Sequence, residues 1–168
     1  MAVSISDIKR EEPPAMLRPY FVDQMRESDL DEVVSLEDIT GLNRWGFDAY
    51  RRELNKNPNS IMLVARNLYS SPAVIGFFAG WIVEDELHVN NIASHPAYRK
   101  IGVGQSLLES AISEARMRGV LFVLLEVRAS NEAAQSLYRK LGFSFVNRRR
   151  DYYRSPTEDA FVMKREFK

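Results

Sequence analysis

A carboxylate inside an apolar run, a phenol on an apolar helical stripe and two glycines ahead of a helix carry the clearest chemical potential in this chain. Glu126 is the one ionisable residue in Leu121-Phe122-Val123-Leu124-Leu125-Glu126-Val127. Strand alternation gives it a face shared with Phe122 and Leu124, at the edge of an apolar wall where desolvation raises a carboxyl pKa. A carboxylate so placed is a candidate general base. Arg128, on the same face, offers the competing role of a structural ion pair. Tyr138 falls on the apolar stripe of the next predicted helix. A tyrosine there is ordinarily a core residue with its hydroxyl satisfied by backbone. A phenol with a pKa near about 10 also suits returning a proton to a thiolate leaving group.

The segment Arg99-Lys100-Ile101-Gly102-Val103-Gly104 joins a predicted strand to a predicted amphipathic helix. Glycines let backbone approach a ligand, and the free N–H groups of a helix N-terminus form an anion site, so a pyrophosphate fits there. A plain connecting turn is the competing reading of so short a pattern. A dinucleotide fingerprint is opposed by Leu107 at the third glycine position and by the mid-chain location, and a P-loop by the lack of a following Gly-Lys-Ser/Thr.

The elements that must position these groups follow from periodicity. The 168 residues suit one domain, and 45% hydrophobic with 27% charged residues is ordinary for a globular protein. Lys+Arg (23) balances Asp+Glu (23), so no global field favours nucleic acid or a membrane. The absence of cysteine excludes disulfides and thiolate nucleophiles, and the spacing of His88 and His95 matches no common zinc pattern, so no metal is expected. Without a signal-like N-terminus or a long apolar run, a cytoplasmic location is expected. Residues 1–17, with Pro13-Pro14, read as a flexible tail, and 18–168 as the domain.

A first strand is expected just after Arg18. A helix capped by Ser28 is predicted over 29–37 and a second over 47–56. Strands are predicted at 61–65, 73–83 and 87–92, the last two joined by the turn Glu84-Asp85-Glu86. A helical stripe runs from Val103 to a C-cap at Gly119, a buried strand covers 121–127, and a helix from Asn131 ends at Gly142. Strands at 143–146 and 160–163 complete a mixed α+β sandwich with helices packed on a central sheet.

Taken together, two stretches resemble the GNAT superfamily of N-acetyltransferases. Asn91-Ile92-Ala93-Ser94-His95-Pro96-Ala97-Tyr98-Arg99-Lys100-Ile101-Gly102-Val103-Gly104 is similar to that family's strand, bulge and pyrophosphate loop. Asn131 to Phe143 is similar to its closing helix and the start of the strand beyond. Leu125 to Asn131, Arg149 to Tyr153 and Glu158 to Ala160 resemble the RimI-type ribosomal-protein-alanine N-terminal acetyltransferases. The likeness covers about residues 18–165 and is strongest after 87. It departs at Arg44-Trp45-Gly46, where Pro-Trp-Ser is common.

The resemblance implies a central mixed, mostly antiparallel sheet flanked by helices, and acetyl-CoA as donor, with Ile92, Ala93 and Ser94 presenting backbone to the acetyl-pantetheine arm. It implies that Arg99, Lys100, Ile101, Gly102, Val103, Gly104 and Gln105 hold the pyrophosphate and that Asn131 contacts the cofactor. Glu126 is then the base, Tyr138 the acid, and Tyr152 and Tyr153 line the peptide groove. The resemblance implies direct transfer in a ternary complex to the α-amine of a protein or peptide N-terminus, with the N-terminal alanine of ribosomal protein S18 as one substrate. Lysine, polyamine or small-molecule amines are the alternative acceptors, and a non-catalytic acyl-CoA-binding module is the alternative outside enzymes. A monomer or weak homodimer is expected, with no direct nucleic-acid partner. The run Arg148-Arg149-Arg150 reads as solvated surface or as steering for a ribosomal partner.

Overall fold

A computed structural model describes residues 18–167. The expected tail, 1–17, lies outside the described residues. The elements are β1 (Tyr20–Gln24), α1 (Leu30–Thr40), α2 (Phe47–Lys56), β2 (Ser60–Asn67), β3 (Val74–Val83), β4 (Glu86–Ser94), α3 (Val103–Met117), β5 (Phe122–Arg128), α4 (Glu132–Lys140), β6 (Ser144–Tyr153) and β7 (Glu158–Glu166). The strands form one sheet in the order β1-β2-β3-β4-β5-β7-β6. Every neighbouring pair is antiparallel except β4 and β5. The mixed, mostly antiparallel sheet predicted from the sequence is therefore the fold.

Alternation along the strands divides the core between the two sheet faces. Ile61, Leu63 and Ala65 of β2 pack with Leu107, Leu108, Ala111 and Ala115 of α3 and with Tyr138 of α4. Met62 and Val64 pack on the opposite face with Leu30, Val33 and Leu36 of α1 and Tyr50 of α2. Burying a leucine or phenylalanine in either layer contributes about 1.5–3 kcal/mol, so both helix pairs are held mainly by these stripes.

Two features of β4 create the site. Ala79 pairs with Asn91 and Gly80 with Val89, which leaves Asn90 as the extra residue of a bulge. Gly80 is required there, because a Cβ would lie 2.8 Å from the His88 carbonyl oxygen. The bulge shifts the alternation, so Leu87 and Val89 join the α3 face while Ala93 joins the α1 face. The parallel pairing of β4 with β5 then stops at Val89↔Leu125, although both strands continue. Beyond that point the strands part, and the sheet is split between them.

Three local expectations are corrected. Ser28 does not cap α1: it lies in a 3-10 turn, Glu27–Asp29, and the helix starts at Leu30 and runs to Thr40. The neighbouring Asp29 carboxylate accepts from the Arg26 N–H at 2.7 Å and from the Arg66 guanidinium at 2.8 Å. β5 is buried on one face only: Val123, Leu125 and Val127 are covered, while Phe122, Leu124, Glu126 and Arg128 are partly exposed. The last two strands run far beyond 143–146 and 160–163. β6 is exposed along nearly all its length, so its polar middle gives no alternating signal.

Candidate active site

The loop before α3 owes its shape to two residues in the left-handed region, Lys100 at φ 64° and Gly102 at φ 88°. Gly102 is the N-cap of α3 and supplies no side-chain cap. Ser106 N–H bonds back to the Gly102 carbonyl at 2.9 Å, while Val103, Gly104 and Gln105 lie too early in the helix for an intrahelical acceptor. Those three N–H groups, at the positive end of a helix dipole and beside Arg99 and Lys100, suit an anion.

The loop is fastened from β1. The Tyr20 hydroxyl donates to the Ile101 carbonyl at 3.3 Å and shares a 3.0 Å hydrogen bond with the Ser106 hydroxyl, which also accepts from Arg18 Nη1 at 2.6 Å. Tyr20→Phe should therefore weaken acetyl-CoA binding by about three- to tenfold and unfold the chain about 1–2 kcal/mol more easily, the worth of the two hydrogen bonds lost. Calorimetric titration beside urea melts checks both numbers.

Two cavities meet at the split in the sheet. The larger, about 770 Å³, is lined by Ile92, Ala93, Ser94, Arg99, Lys100, Gly102, Val103, Gly104, Gln105 and Asn131, with Thr40, Leu42, Leu137 and Lys140 among its other walls. Of the expected loop residues, Ile101 is absent from this lining. Its side chain is partly exposed and its carbonyl is turned to Tyr20. Asn131 caps α4 by accepting the Ala134 N–H at 3.1 Å.

The smaller cavity, about 180 Å³, is lined by Glu126, Tyr138, Tyr152, Tyr153, Asn90, Asn91 and Asn131, with loop residues 40–43. Because Val123, Leu125 and Val127 face α3, Glu126 faces the opposite side of the sheet, whereas Tyr138 belongs to the α3 side. The split brings these two faces to one cleft.

The carboxylate does not sit against an apolar wall, as the sequence suggested. Glu126 Oε1 accepts from Arg149 Nη1 at 2.9 Å. Nor does it pair with Arg128, whose guanidinium meets Glu158 at 3.2 Å. Arg149 lies 4.5 Å from the Tyr152 ring centre and Arg128 lies 4.3 Å from that of Tyr153, so cations and rings alternate along one wall. Arg148 is paired with Asp159. Tyr138 is buried, and among the described residues its hydroxyl has no hydrogen-bond partner. Burial pushes its pKa up to about 12.

Sequence reasoning missed the buried anchor on the other side of the cleft. Glu37, fully buried, accepts from the Trp45 N–H at 2.7 Å, the Gly46 N–H at 3.1 Å and the Tyr50 hydroxyl at 2.8 Å. Tyr50 in turn accepts from Asn91 Nδ2 at 2.8 Å, tying the loop after α1 to the bulged strand. A signal was available: Glu37 follows Leu30 by seven residues and Val33 by four, a charge on an apolar helical stripe. Arg149 was missed because no local pattern links it to Glu126.

Comparison with known proteins adds to this geometry. The profile of the Acetyltransferase (GNAT) family matches residues 20–143. A provisionally assigned ribosomal protein bS18-alanine N-acetyltransferase of Bacillus subtilis (strain 168) is 34% identical over 142 residues, 84% of this chain and 92% of its own length. The bS18-alanine N-acetyltransferase of Escherichia coli (strain K12) is 49% identical over 86 residues, 49% of this chain and 57% of its own length. The crystal structure of the Escherichia coli enzyme superposes with a TM-score of 0.76 at 31% identity, covering 88% of this chain and 93% of that one. The glycine turn, the split sheet and these relatives agree, and the chain belongs to the GNAT family as an acetyl-CoA-dependent N-acetyltransferase.

Proposed function

We propose that the chain transfers an acetyl group from acetyl-CoA to the α-amine of a protein N-terminus, with the N-terminal alanine of ribosomal protein bS18 as its substrate in a bacterial-type cytoplasm. One observation carries the reading: the sheet splits where Glu126 and Tyr138, from opposite faces, line one cleft continuous with a glycine-turn cradle. The likeness to bS18-alanine acetyltransferases over most of the chain supports the acceptor.

The cradle fits coenzyme A. A Cβ at Gly104 would stand 3.5 Å from Ser94 Oγ, and the three uncapped N–H groups suit a diphosphate. Arg99 and Lys100 add charge, and Ile92 to Ser94 offer backbone along the cavity wall. The donor, when bound, supplies an activated acetyl thioester. Beyond Val89 the β4 edge is unpaired toward β5, and its N–H groups are available to polarise a carbonyl. Glu126 takes the amine proton, directly or through a water, and Tyr138 gives a proton to the leaving sulfur.

Magnitudes favour an α-amine. With a pKa of about 7.7–8.0, roughly a tenth of such groups are neutral at pH 7, against well under a thousandth of lysines near 10.4. The acceptor cavity, about 180 Å³, accommodates the tip of a chain rather than a folded surface. Mass spectrometry of peptides with free or blocked N-termini tests the assignment. Acetyl is expected on the α-amine of the free peptide, and acetyl confined to lysine of the blocked one would overturn it.

A further inference from the structure

Asn90 is unusual on three counts. It is the extra residue of the β4 bulge, it lines the acceptor cavity, and its Oδ1 is shut off from solvent with no hydrogen-bond partner among the described residues. Buried carbonyl oxygens in native proteins are nearly always paired, and an orphan asks for an explanation. The register supplies one. Val89↔Leu125 is the last pair joining β4 to β5, so Asn90 and Glu126 are the first residues past the split, one on each side of the gap.

Resting on the α-amine reading above, we propose that Asn90 is a substrate-orienting residue whose side-chain carbonyl accepts a hydrogen bond from the acceptor amine, opposite Glu126. A neutral primary amine carries two N–H groups and one lone pair. If one N–H is directed to Glu126 and the second to Asn90, the lone pair is aimed out of their plane toward the thioester, the alignment a near-attack geometry requires. The orphan in the free chain is then the complement of a donor that arrives only with substrate. An N-methylated amine has a single N–H and cannot satisfy both partners, so Asn90 also selects for primary amines.

The test compares an alanine-first peptide with its N-methylalanine counterpart, using the full chain and its Asn90→Leu variant. For the variant, kcat/KM on the alanine peptide should fall about tenfold while that on the N-methyl peptide changes less than threefold, so the preference for the primary amine shrinks. Acetyl-CoA affinity by calorimetry should be unchanged, and thermal stability unchanged or higher, because an unpaired buried oxygen has been removed. Asn90→Ala serves as the second variant if leucine does not fit.

Equal losses on both peptides, or no loss on either, would overturn the inference. So would a parallel loss of acetyl-CoA affinity, which would assign the oxygen to a pantetheine amide instead. Failure of the unaltered chain to acetylate the alanine peptide at all would overturn the α-amine reading, and this inference with it. Transfer with an unaltered preference would overturn the inference alone.

Discussion

Glu126→Gln should lower kcat/KM for an alanine-first peptide by about 10²–10⁴-fold, the range lost when a positioned general base is removed. The amide keeps the shape of the carboxylate but cannot accept a proton. Acetyl-CoA affinity should hold, because Glu126 faces the side of the sheet away from α3 and α4 and does not line the larger cavity. Stability should shift by less than about 1 kcal/mol: the pair with Arg149 is partly exposed, and the freed guanidinium can turn to solvent. Initial rates by mass spectrometry, with calorimetry and a urea melt, separate these effects. A rate within a few-fold of the parent would remove Glu126 from the chemistry and leave it as an anchor for Arg149.

Tyr138→Phe should cost about 10²-fold in kcat with acetyl-CoA affinity nearly unchanged. The hydroxyl of this buried tyrosine bonds to nothing among the described residues, so its removal costs the fold little. The ring packs against Phe143, with centroids 5.9 Å apart, and phenylalanine keeps that contact. With its pKa pushed up to about 12 by burial, the phenol stays protonated throughout the range from about pH 6 to 10. No alkaline fall in kcat should therefore arise from this group below about pH 11. Equal losses in turnover and in acetyl-CoA binding would make Tyr138 a packing residue only.

How far these groups could be read from the chain depended on locality. The turn around Gly102 and the strand bearing Glu126 declare themselves over a few consecutive residues, because helix starts and apolar runs are local patterns. α2 likewise covers the expected 47–56, and the body of α3 sits where its stripe places it. The partners of Glu126 were not legible. Choosing Arg149 over Arg128 requires the antiparallel registry of β6 and β7, and β6 carries no alternation because it is exposed. The bulge at Asn90 was equally hidden, since one inserted residue looks like any other until the partner strand is laid beside it. Glu37 was visible as a charge on an apolar stripe, but that its carboxylate fastens Trp45 and Gly46 emerges only when the chain turns back after Gly41.

On the proposed assignment of the two cavities, the parting of β4 and β5 gives the two substrates separate doors. The wall of the donor side is built mostly from residues after Ile92, while loop 40–43 and the tyrosines of β6 frame the other door, with only Thr40, Leu42, Ile92 and Asn131 common to both. Such a layout is modular. Grafting a foreign loop between α1 and α2, with Thr40 and Leu42 kept because they also wall the donor side, would redirect the catalyst to new chain tips while its appetite for the acetyl carrier stayed the same, and a family could diversify its clientele without rebuilding its engine.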